Sequence, residues 1–277
     1  MASRPANLPG RPDSAVVTLD LADDLTLALR LADAADEVSR PAFTGQAVAH
    51  ELKDDGSPVS VTDVAVERRI SEIVAAERPE DGVLGEEVGE SGSATRRWIL
   101  DGIDGTVLFV AGMPGWATQI ALEVDGEPVI GVTTSGGDGR RWWAARGAGA
   151  WHAVPGAPPE RLAVSEREEP AGGRYSLIPP WDVLTPERQA LCAPLAATAS
   201  YVPPSEHGAL FVADGRVDAC VQLGGGPWDF AALAVLVEEA GGRFTDLAGR
   251  RGPAGGSALA TNGKVHDAVL DLLGTPA

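Results

Sequence analysis

The chain has 277 residues, 44% hydrophobic and 22% charged, a composition typical of a globular protein with room for a sizeable core. Its net charge of −18 disfavours binding to nucleic acid or to an anionic membrane through a basic surface. Two cysteines are too few for a disulfide framework, and no apolar run approaches the ~20 residues of a membrane span. We therefore expect a cytoplasmic protein without nucleic-acid or membrane partners.

Helices and short strands are both predicted in the first part of the chain. Residues 1–17 are rich in proline near their start and predict a disordered tail. Apolar residues at helical spacing predict a helix over about 18–40, and Thr62 or Asp63 is expected to cap a second one. The polar stretch 51–60 between them predicts a loop. Val83-Leu84 predicts a short buried strand that ends at Gly85, and a polar connector over 89–97 follows.

Two carboxylates follow the next predicted strand. Trp98–Leu100 reads as a short buried strand, and Asp101 and Asp104 lie three residues apart on the turn at its end. Gly105 and Thr106 are placed to open a helix whose first amides favour an anion. Carboxylates for a hard cation beside amides for an anion indicate a metal-phosphate site. Taken alone, such a turn is more often a solvated loop, so the other segments decide the interpretation.

The second part of the chain predicts an α/β arrangement. Residues 117–151 alternate as strands, and the Pro-rich segment 155–159 predicts the junction between an N-terminal α+β half (18–154) and a C-terminal α/β half (155–277). Strands at 175–178, 217–221, 243–246 and 258–261 then alternate with helices at about 185–198, 206–214, 229–240 and 264–273. Asp229 follows a glycine run at a predicted helix start, either as a helix N-cap or as a further carboxylate beside a ligand.

Several of these segments, in this order, resemble the signature blocks of the inositol monophosphatase family. The blocks are Gly85-Glu86-Glu87, the run from Trp98 to Thr106, and Trp228-Asp229-Phe230-Ala231-Ala232. Lys53, Val61-Thr62-Asp63 and the segment from Glu238 to Gly242 fit the same pattern, so that the similarity covers about 20–273. Two further segments, 142–149 and 260–263, look most like the actinobacterial histidinol-phosphate phosphatase branch of that family.

The resemblance implies a layered α-β-α-β-α sandwich, usually a homodimer, and a Mg²⁺-dependent phosphomonoesterase with two or three ions. Carried over to this sequence, one ion would be held by Glu86, Asp101 and the carbonyl of Ile103, and a second by Asp101, Asp104 and Asp229. A third, looser ion would lie near Glu86. Asp63 and Thr106 would orient the attacking water, and the amides of Gly105 and Thr106 would receive the phosphate. Lys53, Glu206 and Gln222 are expected beside the substrate, which would be a small-molecule phosphate ester.

The sequence departs from the family pattern at several positions. Gly102 stands where the family usually has Pro, which is expected to loosen the turn, and Val107 and Leu108 replace a polar residue and an Asn. Gln222 stands where the family usually has a Glu that contacts the leaving group. A neutral amide cannot pair with a cationic amino group, whereas it suits a polyol, sugar or nucleoside. Alternatively, Gln222 only ends the strand predicted at 217–221.

Three hypotheses follow from these features. The first is a Mg²⁺-dependent phosphatase acting on a nucleoside, sugar or cyclitol monophosphate, as in a specialised biosynthetic pathway. The second is histidinol-phosphate phosphatase of histidine biosynthesis, supported by the general resemblance and opposed by Gln222. The third, from a different class, is a catalytically weak homologue that binds a ligand or partner. Gly102, Val107 and Leu108 favour it, and the intact carboxylates oppose it.

Overall fold

The computed structural model describes residues 20–274, which fold into helices and three sheets. The α-helices are α1 (Ala22–Ala42), α2 (Val61–Glu77), α3 (Thr106–Val110), α4 (Pro186–Thr198), α5 (Gly208–Ala213), α6 (Pro227–Glu239) and α7 (His266–Leu273). A small hairpin contains β1 (His50–Leu52) and β2 (Pro58–Ser60). The larger sheet contains β3 (Gly82–Gly85), β4 (Gly89–Ser91), β5 (Arg96–Asp104), β6 (Ala117–Val124), β7 (Glu127–Ser135), β8 (Arg141–Ala145), β9 (Gly149–Ala153) and β10 (Glu160–Arg161). The smaller sheet contains β11 (Arg174–Ile178), β12 (Ser200–Tyr201), β13 (Ala219–Gln222), β14 (Arg243–Thr245) and β15 (Ala258–Thr261).

Both larger sheets are mixed. The eight-stranded sheet has the order β10-β9-β8-β7-β6-β5-β3-β4, and its strands pair antiparallel except for the parallel pair β3 and β5. The five-stranded sheet has the order β12-β11-β13-β15-β14, in which β11 runs parallel to both β12 and β13. Strand β5 therefore lies inside the larger sheet, between β3 and β6, and its residues are held on both sides.

The helices and sheets stack in five layers. Helices α1 and α2 pack on one face of the larger sheet, and α6 packs between the two sheets with α5 beside it. Helices α4 and α7 cover the outer face of the smaller sheet. The predicted α-β-α-β-α sandwich is confirmed. Sheets on both sides also explain why α6 is apolar all round, with every residue from Phe230 to Val237 buried.

Strand β5 shows how the sequence pattern produces these layers. Successive side chains of a strand point to opposite faces of its sheet. Trp98 and Leu100 are accordingly buried in the core beneath α1 and α2, whereas Ile99 packs on the opposite face against Ala231 and Ala232 of α6. An apolar residue is needed on both faces because helices cover both, which is why Trp98–Leu100 is a continuous apolar run.

Several local predictions were wrong in their boundaries. The polar stretch predicted as a loop over 51–60 contains most of the β1–β2 hairpin, and the predicted connector over 89–97 contains β4. Both pairings join residues with few apolar side chains, so hydrophobic periodicity did not reveal them. Helix α2 is capped by Ser60, not by Thr62 or Asp63, and α5 begins at Gly208 rather than 206.

The boundary predicted at residue 155 falls between strands of one sheet. Strand β10 lies beyond that boundary and pairs with β9, while α6 of the later part packs on both sheets. The disordered tail predicted for residues 1–17 lies outside the described part of the chain. Among the helices of residues 20–274, none combines the length and the apolar composition needed to cross a membrane.

Candidate active site

Three carboxylates from distant parts of the sequence meet beside the larger sheet. Asp101 and Asp104 belong to β5, and Asp229 belongs to the first turn of α6. One carboxylate oxygen from each of the three lies within 4.8 Å of the others, and Asp101 is only 2% exposed. The structure thus brings together three of the residues that the sequence analysis selected as metal ligands.

The two carboxylates of β5 lie in a bulge, not on a turn after the strand. Asp101 is opposite Gln119 of β6 and Asp104 is opposite Ala117, so β5 has one residue more than β6 over this stretch. A bulge of this kind redirects side chains while the strand continues. The strand was expected to stop at Leu100, because the pairing with β6 is not visible in the local sequence. The expected helix start at Thr106 is confirmed, with Gly105 in the left-handed region as its N-cap.

Asp229 has a structural contact in addition to its place among the carboxylates. Its Oδ2 accepts a hydrogen bond of 2.6 Å from the backbone N–H of Gly226, which is the N-cap residue of α6. Asp229 is therefore the third helical residue and not the N-cap that the sequence left as one alternative. This hydrogen bond fixes the carboxylate at the helix start, where the helix dipole favours negative charge.

The carboxylate cluster is short of positive charge. Burial, reinforced by Asp104 and Glu86, raises the pKa of Asp101 well above its usual range. Burial and the charge of Glu86 raise the pKa of Asp104 to about 6, and burial and Asp104 raise that of Asp229 to about 7. A divalent cation with oxygen ligands would supply the missing charge, so these residues fit Mg²⁺.

Glu86 lies next to this cluster and is paired with a cation. Lys53 donates a hydrogen bond of 2.7 Å to Glu86 Oε1 and also pairs with Glu87. Burial lowers the pKa of Lys53, but the two carboxylates outweigh it and raise the pKa overall. Lys53 is thus the counter-ion of these two glutamates in the structure, whereas its expected contact with substrate stays a prediction.

Asp63, Thr106 and the carbonyl of Ile103 form a second group of polar atoms. Thr106 Oγ1 lies 3.0 Å from Asp63 Oδ1 and 2.9 Å from the Ile103 carbonyl oxygen, and its single hydrogen is donated to one of them at a time. Asp63 is buried, and its other oxygen accepts hydrogen bonds from Ser60 N at 3.0 Å and Ser60 Oγ at 2.6 Å. Ser60, which sequence reasoning missed, therefore holds Asp63 in place toward Thr106.

Gln222 is the last residue of β13 and is buried. The strand predicted over 217–221 starts two residues later and includes Gln222 itself. Burial lowers the pKa of His207 to about 4, and the neighbouring side chain of Gln222 opposes that lowering. His207 is therefore neutral at pH 7, and the surroundings of Gln222 contain an uncharged imidazole.

Glu206 occupies a different position from the three clustered carboxylates. It lines a cavity of about 180 Å³ together with Trp116, Arg140 and His207. Its carboxylate pairs with Arg140 and, at 2.9 Å, with Arg216. Two guanidinium groups thus neutralise the carboxylate that the sequence placed beside the substrate.

Glu67 is the principal residue of this region that sequence reasoning missed. It is fully buried on α2, and its carboxylate accepts three backbone N–H groups, from Glu87, Val88 and Gly102. Burial raises the pKa of Glu67 to about 7, although these three hydrogen bonds oppose the shift. A signal existed in the sequence, since Glu67 lies one helical turn after Asp63 and interrupts an otherwise apolar helix face.

Both the sequence and the fold are similar to those of known proteins. Residues 20–273 match the inositol monophosphatase family. A histidinol-phosphatase of Mycobacterium tuberculosis is 45% identical over 256 residues, covering 91% of this chain and 98% of that protein. A probable inositol 1-monophosphatase, ImpA, of the same organism is 36% identical over 223 residues, covering 77% and 80%. Among solved structures, an inositol monophosphatase from Zymomonas mobilis aligns with a TM-score of 0.78 at 29% identity, covering 93% of this chain and 100% of that one.

The five-layer fold and the cluster of Asp101, Asp104 and Asp229 are those expected of a metal-dependent phosphatase. The chain belongs to the inositol monophosphatase family. It is a phosphoric monoester hydrolase, and the family to which it belongs depends on magnesium. The resemblance seen in the sequence is confirmed, including the similarity to actinobacterial histidinol-phosphatases.

Proposed function

We propose that the chain hydrolyses a small phosphate monoester whose leaving group is a neutral polyol, sugar or nucleoside. The observation that carries this proposal is that neither Gln222 nor Glu206, the two residues expected beside the leaving group, offers a free carboxylate. Gln222 has a neutral amide beside a neutral His207, and Glu206 is paired with Arg140 and Arg216. An ammonium group of the substrate would lose its hydration at these positions without gaining a counter-ion. A hydroxyl or carbonyl oxygen, in contrast, can use the amide of Gln222 as a hydrogen-bond partner.

The metal ions would be held by the residues selected from the sequence. Asp101, Asp104 and Asp229 would hold one Mg²⁺, and Glu86, Asp101 and the Ile103 carbonyl another. Glu86 is also placed to contact a third, looser ion. Bound Mg²⁺ would neutralise charge on the phosphate and make a water molecule more acidic.

The remaining residues of the site position the reacting groups. Asp63, held by two hydrogen bonds from Ser60, keeps one oxygen for the hydroxyl of Thr106. This pair would orient the attacking water, because the Thr106 hydroxyl can donate to one partner and accept from another. The amides of Gly105 and Thr106 would contact the phosphate oxygens. Positioning and charge neutralisation provide most of the catalysis of phosphoryl transfer, so no nucleophilic side chain is required.

A second candidate substrate is histidinol phosphate. The histidinol-phosphatase of M. tuberculosis is 45% identical and is covered over 98% of its length. This similarity favours the same leaving group, which carries an amino group, and Gln222 opposes it. The two candidates therefore differ in whether the site accepts a cationic or a neutral leaving group.

The oligomeric state and the cellular compartment are further parts of the proposal. We expect a homodimer, as the family resemblance implies, and a location in the cytoplasm. Cys192 and Cys220 are both buried free thiols, which suits a reducing compartment.

The experiment that tests the substrate proposal is phosphate release from a panel, first with Mg²⁺ and then with EDTA. The panel contains histidinol phosphate, inositol phosphates, sugar phosphates and nucleoside monophosphates. We expect Mg²⁺-dependent release with the highest kcat/KM on a neutral ester. Two substrates are compared with the same protein preparation. Any unfolded protein then lowers both kcat/KM values by the same factor, and their ratio is unaffected. The highest kcat/KM on histidinol phosphate would refute the proposed leaving group and support the second candidate.

A further inference from the structure

Glu67 joins the two chain segments that carry the candidate metal ligands. Its Oε2 accepts the N–H groups of Glu87 and Val88, both at 2.9 Å, in the segment that follows Glu86. Its Oε1 accepts the N–H of Gly102 at 3.2 Å, within the β5 bulge between Asp101 and Asp104. One buried carboxylate is thus hydrogen-bonded to both segments at once.

Two glycines make room for this carboxylate. A Cβ atom at Gly85 would lie 2.3 Å from Glu67 Oε2, and one at Gly102 would lie 3.2 Å from Glu67 Cγ. The Cβ at Gly102 would also approach the carbonyl oxygen of Asp63 to 2.6 Å, and backbone of α2 cannot move aside as the end of a side chain can. Helix α2 therefore approaches the β5 bulge closely because Gly102 has no side chain of its own.

The β5 bulge is held from the opposite side as well. The carbonyl oxygen of Gly102 accepts a hydrogen bond of 2.8 Å from Thr118 Oγ1 of β6. Both polar groups of the Gly102 backbone are therefore satisfied, one by α2 and one by β6. Gly102, which was expected to loosen this stretch, is instead bonded on both sides. A proline at this position, as in the usual family pattern, has no N–H to donate to Glu67.

We infer that Glu67 is a positioning residue for the metal centre. It sets the separation between Glu86 and the Asp101–Asp104 pair through the hydrogen bonds to Glu87, Val88 and Gly102. This inference rests on the proposed function, since it takes these carboxylates to be cation ligands. Groups that orient metal ligands typically change metal affinity about 10- to 100-fold when they are replaced.

The test measures binding of Mn²⁺ alone, by calorimetry or by the electron paramagnetic resonance signal of the free ion. Glu67→Gln keeps the size of the side chain but leaves one acceptor oxygen for three N–H groups. We expect its Mn²⁺ affinity to fall about 10- to 100-fold. Glu123→Gln is the matched control, because Glu123 is also buried but pairs with Arg97 near the far end of β6, about 20 Å along the strand from Ala117. We expect the affinity of this control to stay within about twofold of the wild type.

A second pair of variants separates the hydrogen bond from the charge of Glu67. Gly102→Ala and Gly102→Pro both add a Cβ near Asp63, but only the proline removes the N–H. We expect Gly102→Pro to weaken Mn²⁺ binding several-fold more than Gly102→Ala. The double variant Gly102→Pro with Glu67→Gln should lose less Mn²⁺ affinity than the product of the two single losses. The reason is that both substitutions act on the same hydrogen bond. If Glu67→Gln does not fold, Glu67→Asp keeps the charge and both acceptor oxygens on a shorter side chain, and a comparable loss of Mn²⁺ affinity is expected.

The outcomes distinguish this inference from the proposed function. Wild-type affinity in folded Glu67→Gln, or equal affinities of Gly102→Ala and Gly102→Pro, would overturn the role of Glu67 while leaving the metal centre intact. Wild-type protein that binds no Mn²⁺, or binds it equally well after Asp104→Asn, would refute the metal centre itself and the inference with it.

Discussion

Replacing Asp104 by Asn should stabilise the metal-free protein while it removes metal-dependent activity. The carboxylate of Asp104 is packed against those of Asp101 and Asp229, and its pKa is raised from 3.8 to about 6 by burial and by Glu86. At pH 8 the folded, metal-free protein must keep this group charged in an unfavourable place. The amide of Asn carries no charge and therefore avoids that cost.

The size and sign of the effect follow from the pKa. A folded-state pKa above the unfolded value means that protonation of Asp104 stabilises the fold, so the contribution of Asp104 to stability is highest below about pH 4 and is lost as the pH rises through 6. A shift of two pKa units corresponds to about 3 kcal/mol at pH 8, before the smaller cost of burying an amide is subtracted. We expect a net gain of about 1–2 kcal/mol, or roughly 2–8 °C in Tm for a domain of this size.

The assay compares thermal unfolding of wild type and Asp104→Asn in EDTA at pH 8 and at pH 5. At pH 5 Asp104 is mostly protonated in the folded state but still ionised in the unfolded state, so about half of the 3 kcal/mol is recovered and the difference in Tm should shrink toward zero. Mg²⁺ should raise the Tm of the wild type at pH 8, because a cation that binds the folded state stabilises it, and should do so far less in the variant. Phosphate release with Mg²⁺ at pH 8 is expected to fall to background in the variant.

Two results would refute this reasoning. A lower Tm of Asp104→Asn in EDTA at pH 8 would mean that the Asp104 carboxylate is stabilised in the fold and not strained by its neighbours. Unchanged metal-dependent phosphate release would mean that Asp104 is not a metal ligand.

Three further predictions concern other parts of the site and the core. Thr106→Val and Asp63→Asn should each lower kcat about 100-fold or more with a smaller change in KM, measured by phosphate release, since we propose that both orient the attacking water; a change in KM alone would contradict this role. Gln222→Glu should raise the kcat/KM ratio of histidinol phosphate to a neutral ester by at least about 10-fold, and an unchanged ratio would place the leaving group elsewhere. Burial raises the pKa of Cys192 to about 11 and that of Cys220 to about 12, so neither thiol should react with Ellman's reagent until the protein is unfolded. Rapid labelling of the native protein would contradict the buried positions.

Local sequence was sufficient for the residue types of the candidate site and for the buried strand that leads into it, whereas the order of the layers came from the family resemblance. Asp101 and Asp104 follow an apolar run that had to be a buried strand, and Asp229 follows a glycine run at a helix start. These signals lie within a few residues of each other, so periodicity and turn chemistry reveal them. The family blocks then connected the segments into one site and one fold.

The tertiary structure decided which of these groups are free and which are already paired. Lys53 with Glu86 and Glu206 with Arg140 are ion pairs between residues 33 and 66 positions apart, and no spacing rule predicts such contacts. The β5 bulge depends on the register with β6, and the three hydrogen bonds of Glu67 depend on the distance between α2 and that bulge. Sequence alone selected the carboxylates that we propose as metal ligands and the amides that we propose as phosphate contacts. Only the fold determined how they are held, because positions in space depend on packing between elements that are distant in the chain.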